Sequence, residues 1–335
     1  MTPPEFSIPD PTANKPPRPR RWIPLSLRMF VAMLLLLISA AVVCIGIPAY
    51  RQQAALREID RLGSSVETRP IGPEWLRGWI GEERMPIFEE PVKVEVYWSD
   101  INDDDLVHLQ GLRSLESLDL GNRFTDGALP HVAHVRHLRD LSLRQSQVTD
   151  DGRQHIENLA ELELLSLNST SISGSGLAHL RRLHQLRHLD LGWTSISDPG
   201  IENLRDMSHL ETLSLDGTRI TASACLHLRK LTTLKTLSLY RTHVDDAAVA
   251  HLCELAGLRE FCLAGTRITD SGMEHIKDLH HLEVLNLIST NVTDAGLIHL
   301  HGLARLNHIL VGDTRVSEAG LSELQRVLPG IGINR

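Results

Sequence analysis

Nine leucines, Leu115, Leu138, Leu162, Leu186, Leu210, Leu234, Leu258, Leu282 and Leu306, occupy the same place in a block that returns every 24 residues, with one short step of 23 after Leu115. The block reads L-x-x-L-x-L-x-x-T-x-I-x-D-x-G-L-x-H-L-x-x-L. A weaker copy precedes it, with Pro91, Val94, Val96, Ser99, Ile101, Asp103, Leu106, Leu109 and Leu112 in the matching places, so ten repeats run over Pro91–Pro329. A period of this length signifies stacked modules, because no single module of that size buries its own apolar side.

Each copy reads as one strand and one helix. The leucines three and five places after the leading leucine (Leu189 and Leu191, Leu213 and Leu215, Leu237 and Leu239) alternate with polar residues, as in a strand with one buried face. A turn follows, then leucines at helical spacing, with Asp198, Asp246, Asp270 and Asp294 as N-cap candidates. Stacking such units lays parallel strands on one side and helices on the other. Strands sit about 4.8 Å apart and packed helices about 8–10 Å, so a horseshoe with the sheet on its concave face is expected.

At these residues the chain resembles the leucine-rich repeat family, specifically its ribonuclease-inhibitor-like class, over about 240 residues. The resemblance implies an α/β solenoid that binds partners. Two departures stand out. The place usually held by Asn or Cys is Thr (Thr170, Thr194, Thr218, Thr242, Thr266, Thr290, Thr314) or Ser (Ser99, Ser146), read as a hydroxyl ladder that satisfies buried backbone groups in the turn. No F-box-like helical segment precedes the repeats, so a ubiquitin-ligase role is not carried over.

Ahead of the repeats, Met29–Tyr50 is a run of 22 uncharged residues, which predicts a transmembrane helix. A cleaved signal peptide ending near Ala49 is the competing reading; the 28 residues before the run and its length favour a retained anchor. Cys44 reads as an ordinary small apolar residue in that helix. The first 28 residues carry Lys15, Arg18, Arg20, Arg21 and Arg28 against Glu5 and Asp10, which places the N-terminus in the cytoplasm and the repeats on the extracytoplasmic side. Since that tail carries +3 of a chain total of −8, residues 29–335 carry −11, which argues against nucleic acid and anionic lipid as partners of the repeats. The tail also holds eight of the sixteen prolines and reads as a disordered spacer. Arg20-Arg21-Trp22 and Ser26-Leu27-Arg28, the apolar run and the Thr-x-Ile-Thr-Asp repeats together look like those of bacterial membrane-anchored leucine-rich repeat proteins.

The resulting organisation is a tail over 1–28, a transmembrane helix over 29–50, a helical neck over 51–70, an N-terminal cap over 71–90 and repeats over 91–335. In the neck, Ala55, Ile59 and Leu62 form an apolar stripe that suits packing on the chain's own domain. Pro73 opens a helix whose Trp75, Leu76, Trp79 and Ile80 would cover the first repeat. At the far end, Ile331 and Ile333 predict one last abbreviated strand.

Chemistry is sparse. Eight of the 18 histidines share one repeat position: His108, His131, His155, His179, His227, His251, His275 and His299. Equivalent atoms on stacked helices stand about 8–10 Å apart, whereas imidazoles sharing a zinc ion must each approach to about 2 Å. The column therefore reads as half-exposed helix residues, and no metal or cofactor is expected. Serines, histidines and aspartates fall in columns that place like beside like, and no Gly-x-Ser-x-Gly, Walker-type or His-Glu-x-x-His motif occurs, so no catalytic residues are expected and the chain is not read as an enzyme. Cys225, Cys253 and Cys262 show no paired spacing.

What remains is a surface. Residues two, four, six and seven places after each leading leucine face away from the core. Most are small, and the larger ones cluster: Arg144, His188, Asp190, Trp193, Asp216, Tyr240 and Arg241, with Tyr97 and Trp98 at the N-terminal edge. Arginine and aromatic side chains on exposed surface are the usual anchors of protein interfaces. The expectation is a membrane-anchored scaffold that holds a protein or peptide on its concave face. The alternatives are a cell-envelope carbohydrate binder and, behind it, a metal or pH sensor built on the histidine column.

Overall fold

The computed structural model describes residues 25–41, 43–44, 47–61, 63–71, 89–96 and 101–335. The chain divides into two compact units, Met1–Tyr50 and Arg51–Arg335. The expected tail lies outside the described residues up to Pro24, and of the predicted cap only Ile71 and Glu89–Glu90 are described.

In the first unit, helix α1 is Leu25–Ala41, 17 residues. At 1.5 Å per residue it is about 25 Å long. Of the helix expected over Met29–Tyr50, the described residues place Met29–Ala41 in α1, which begins earlier at Leu25, Val43–Cys44 in a π-helical turn and Ile47–Tyr50 in α2 (Ile47–Arg61). Among the described residues no helix is long and apolar enough to cross a membrane. Met29, Phe30, Val31, Met33 and Leu34–Ile38 are all exposed.

The second unit contains a twelve-stranded sheet whose order follows the sequence, β1 through β12. Strand β1 (Ser65–Pro70) pairs antiparallel with β2 (Glu89–Val96); β2, β3 (Ser117–Leu120) and the nine three-residue strands from β4 (Asp140–Ser142) to β12 (Gly332–Asn334) are parallel. The inner leucines form a continuous stack. Val94 lies beside Leu118, Leu118 beside Leu141, and the series continues through Leu165, Leu189, Leu213, Leu237, Phe261, Leu285 and Ile309 to Ile333. The weak tenth copy and the abbreviated last strand thus take their expected places.

The neck is only partly helical. Residues Ser65–Pro70 are strand, and their pairing with β2 covers the first edge of the parallel sheet. Within α2, Ala55 and Ile59 are buried in the same core as the first repeat, and a Cβ on Gly111 would stand 2.8 Å from that of Ala55. The predicted stripe therefore packs on its own domain, while Leu62 lies outside the described residues. The end of the stack is covered by α2 and β1, which a reading of local apolar spacing did not assign to that task.

On the other side of the sheet the return segments are shorter than full helices. They are 3-10 turns in several repeats, as at Gly152–Asn158 and Gly176–Arg182, and two-turn α-helices at Ala222–Leu228, Asp246–Leu252 and Asp270–Ile276. A 24-residue module that also contains a strand and two turns leaves room for only about two helical turns.

Two hydrogen-bond ladders hold the turns. The hydroxyls of Thr170, Thr194, Thr218, Thr242, Thr266, Thr290 and Thr314 each donate to the carbonyl three residues back, at 2.5–2.7 Å. This is the expected satisfaction of buried carbonyls; Ser146, in the same column, leaves its buried hydroxyl without a partner. The second ladder corrects an expectation. Asp198, Asp246, Asp270 and Asp294 are not N-caps. They are the first helical residues, and the cap is the preceding residue. Their carboxylates reach into the next repeat, where each accepts from the backbone N–H and the hydroxyl of Thr221, Thr269, Thr293 and Ser317. The receiving Thr or Ser in turn caps its own helix. A Cβ on Gly272 would stand 2.5 Å from the Asp246 carboxylate, so the glycine leaves room for the staple. Asp294, which accepts from the Ser317 hydroxyl and amide, is held below the ordinary aspartate range.

Candidate binding face

Along each strand the inner residue is buried and its neighbours are not: in β6 (His188–Asp190), His188 is exposed, Leu189 buried and Asp190 half-buried. The sheet therefore presents one face to the core and one outward.

Seven places after the leading leucine, the backbone turns left-handed in eight successive repeats: Gln145, Ser169, Trp193, Gly217, Arg241, Gly265, Ser289 and Asp313, with φ of 51–67°. The turn aims the amide N–H of this residue at the carbonyl preceding the equivalent residue in the next repeat, as from Trp193 to Asp216 (2.6 Å), Gly217 to Tyr240 (2.7 Å) and Arg241 to Ala264 (2.9 Å). Only two of the eight positions are glycine. An L-residue in this region costs about 1–2 kcal/mol, which Trp193 and Arg241 bear.

The glycine between them has a purpose. Trp193 and Tyr240 lie two repeats apart, about 10 Å along the stack. A Cβ on Gly217 would stand 2.5 Å from the indole Cε3, so the bare backbone of that residue is the surface on which the indole rests. From there Trp193 reaches Tyr240 edge to face, with ring centroids 6.4 Å apart and planes at 73°. The Arg241 guanidinium carbon lies 5.2 Å from the centroid of the Tyr240 ring, within cation–π range. Asp216 fixes the arrangement from below, accepting from the Ser238 hydroxyl at 2.5 Å and the Tyr240 amide at 2.9 Å. Trp193 remains 47% exposed although wedged between neighbours, which leaves one ring surface free.

Of the residues expected on this face, the fold brings Trp193, Asp216, Tyr240 and Arg241 into one cluster. Asp190 sits on an adjacent strand and is fully engaged, accepting from the Ser166 hydroxyl, the Asn168 amide and the Gly192 N–H at 3.0–3.2 Å. His188 meets the Thr212 hydroxyl at 3.0 Å. Arg144 is exposed on the same face two repeats earlier and has no ion-pair partner among the described residues. Tyr97 and Trp98 lie outside the described residues. The two aspartates are therefore struts of the face and not free ligands. Gly217, which seats the indole, was invisible to a search for large side chains; the signal was a glycine where its neighbours in the column carry Trp and Arg.

Elsewhere little chemistry is assembled. All eight column histidines are half-buried, and His179 contacts Glu157 at 2.8 Å, a hydrogen bond that with Arg182 nearby holds the Glu157 carboxyl below its ordinary range. Among the described residues no group of three or more His, Cys, Asp or Glu is placed to hold a metal ion. Burial, with the nearby Asp198 and Asp245 carboxylates, pushes the Cys225 thiol up to about 12, and burial raises Cys262 as well, so neither is an activated nucleophile.

The repeat architecture and the sequence agree on one family. The model described as "Leucine-rich repeat region" matches residues 95–249, and that described as "Leucine Rich repeat" matches residues 278–300. The chain belongs to the leucine-rich repeat family. Among solved structures, this leucine-rich repeat chain is similar to an internalin from Listeria monocytogenes, at 17% identity and a TM-score of 0.45, covering 72% of this chain and 86% of that one. It is also similar to the plant peptide hormone receptor RGFR1 in complex with RGF2, at 16% identity and a TM-score of 0.45, covering 68% of this chain and 40% of the receptor. No curated protein matches the chain.

Proposed function

We propose that this leucine-rich repeat protein is a membrane-anchored binding scaffold. Its outward sheet face holds a protein or peptide partner, with Trp193, Tyr240 and Arg241 as the anchors. The observation that carries the reading is the exposed indole of Trp193, kept in a left-handed backbone turn and supported on Gly217 and Tyr240. Backbone strain persists where the surrounding structure enforces it, and such places concentrate at binding sites. Tryptophan, tyrosine and arginine lead the residues that dominate interface energetics when they sit in a preorganised cluster.

Anchoring is supported by α1, whose large apolar side chains from Met29 to Ile38 are exposed, and by the uncharged sequence continuing to Tyr50. The basic tail favours an N-terminus in the cytoplasm with the repeats across the bilayer. The ladders of the repeat unit engage its polar residues in holding the stack together, which suits binding and not turnover.

Full-length protein bearing W193A, Y240A and R241A together is expected to lose capture of its cellular partner in a cross-linking pull-down while keeping the wild-type unfolding midpoint. Undiminished capture sinks the face. Retention of an oligosaccharide array that the triple variant abolishes, with protein capture unchanged, favours the carbohydrate reading. Protection of the tail, but not of the repeats, from protease added to the outer side of intact cells tests the orientation.

A further inference from the structure

The two edges of the sheet face carry different charge patterns. One place after the leading leucine the residues run Arg139, Glu163, Arg187, Glu211, Lys235, Arg259, Glu283, and successive opposite charges meet: Arg139 with Glu163 at 3.4 Å, Arg187 and Lys235 with Glu211 at 2.7 and 2.5 Å, Arg259 with Glu283 at 3.5 Å. Nine places after the leading leucine, beyond the strand ends, the residues are Arg219, His243 and Arg267, all exposed. Their backbones stack as a second ladder, the N–H of each donating to the carbonyl beside the equivalent residue of the preceding repeat at 3.1 Å. Neighbouring positions are thus about 5 Å apart. Among the described residues neither arginine has an ion pair or side-chain hydrogen bond.

Arg219 and Arg267 stand two repeats, about 10 Å, apart with His243 between them, whereas along the other edge each Arg or Lys from Arg139 to Arg259 meets a carboxylate. The carboxylates near the second edge are committed elsewhere: Asp198, Asp246 and Asp270 to the inter-repeat staples, Asp216 to Ser238 and Tyr240. Arg241, two residues before His243, adds a third guanidinium, stacked on Tyr240 and so continuous with the aromatic anchors.

We infer that Arg219, Arg241 and Arg267 form a docking rim for an acidic peptide segment of the protein partner, a short extended run of Asp and Glu laid along the ladder. The inference rests on the proposal that the outward face holds a protein. Guanidinium forks match planar carboxylates in paired hydrogen bonds. Two repeats span about 10 Å, which an extended segment covers in about three residues, so one short acidic run meets both outer arginines. The continuity with Trp193 and Tyr240 favours a peptide, since aromatic residues and arginine together are the composition of protein interfaces.

The test is fluorescence anisotropy of full-length protein with a labelled Glu-rich dodecapeptide and a neutral Gln/Ser counterpart. The acidic peptide is expected to bind, the neutral one not, and R219Q/R267Q to weaken binding about ten-fold at low salt with a shallower salt dependence. Because neither side chain has an ion pair or hydrogen bond among the described residues, the unfolding midpoint should stay level, which separates lost binding from lost fold. Equal affinity of the neutral peptide, or no effect of R219Q/R267Q, overturns the rim. Retention on an anionic glycan resin that R219Q/R267Q abolishes, with the peptide unbound, also overturns it. If W193A/Y240A/R241A abolishes partner capture while R219Q/R267Q leaves peptide affinity unchanged, the face stands and the rim falls.

Discussion

Two edges of one sheet, separated by the length of a short strand, use the same 24-residue period in opposite ways. Along the leading edge, each Arg or Lys from Arg139 to Arg259 meets a carboxylate of a neighbouring repeat, as in Arg187–Glu211–Lys235. Along the trailing edge, left-handed turns carry Trp193 and Arg241, and Arg219 and Arg267 stand without partners among the described residues. A solenoid repeats every choice at the spacing of its strands, so opposite charges in successive repeats pair across the stack.

The comparison can be broken at its foundation. Leu237 is fully buried, directly between Leu213 and Phe261 under the cluster. Leu237→Ala is expected to cost about 2–5 kcal/mol and to loosen both edges together, read as a lowered denaturant midpoint with loss of partner capture. Smaller and local to the trailing edge is Gly217→Ala. The new methyl group meets the indole and the residue is left-handed, so a loss of about 1–3 kcal/mol is expected, with a shift in Trp193 fluorescence emission. Gln145→Gly asks the reverse question in the same column, where φ is 60°. Relief of that strain, less the added freedom of glycine in the unfolded chain, is expected to raise stability by about 0.5–1 kcal/mol; no gain in chemical denaturation would show that these turns are not strained.

The smallest effects sharpen the contrast most directly. Glu211→Gln should lower the thermal midpoint slightly, a difference that shrinks in 1 M salt, while Arg267→Gln, which breaks no pair, should leave it level. The Glu211 carboxyl is held below its ordinary range by hydrogen bonds from Lys235 and then Arg187. A lowered carboxyl pKa contributes stability that is present above the unfolded value, about 4.3, and is lost as pH falls through the folded one. The gap between wild type and Glu211→Gln should therefore be full at neutral pH and close in acid, whereas Arg267→Gln should stay level with wild type throughout. A gap for Glu211→Gln that widens in acid would reverse this assignment.

Much of this was legible in one dimension. The period, the inner leucines, the threonine hydroxyls and the abbreviated final strand follow from residue type and spacing, because each is set by a local rule copied ten times. The strand Ser65–Pro70 was not, since it has an exposed, polar pattern and becomes a strand only by pairing with β2. The aspartates were misassigned as N-caps for a related reason: a carboxylate at a helix start suits a cap within its own repeat and a staple to the next equally well.

The sequence by itself determined that the repeats would stack, which side chains would fill the core and which would face outward, since periodicity and alternation are properties of the chain alone. Only the tertiary structure decided that Trp193 leans across Gly217 to Tyr240, that Asp216 and Asp190 are struts, and that the basic side chains of one edge are paired with carboxylates while Arg219 and Arg267 on the other stand without partners among the described residues. Those contacts join residues 22–47 positions apart, and their geometry depends on the left-handed turns and inter-repeat hydrogen bonds that form only once neighbouring modules are in register.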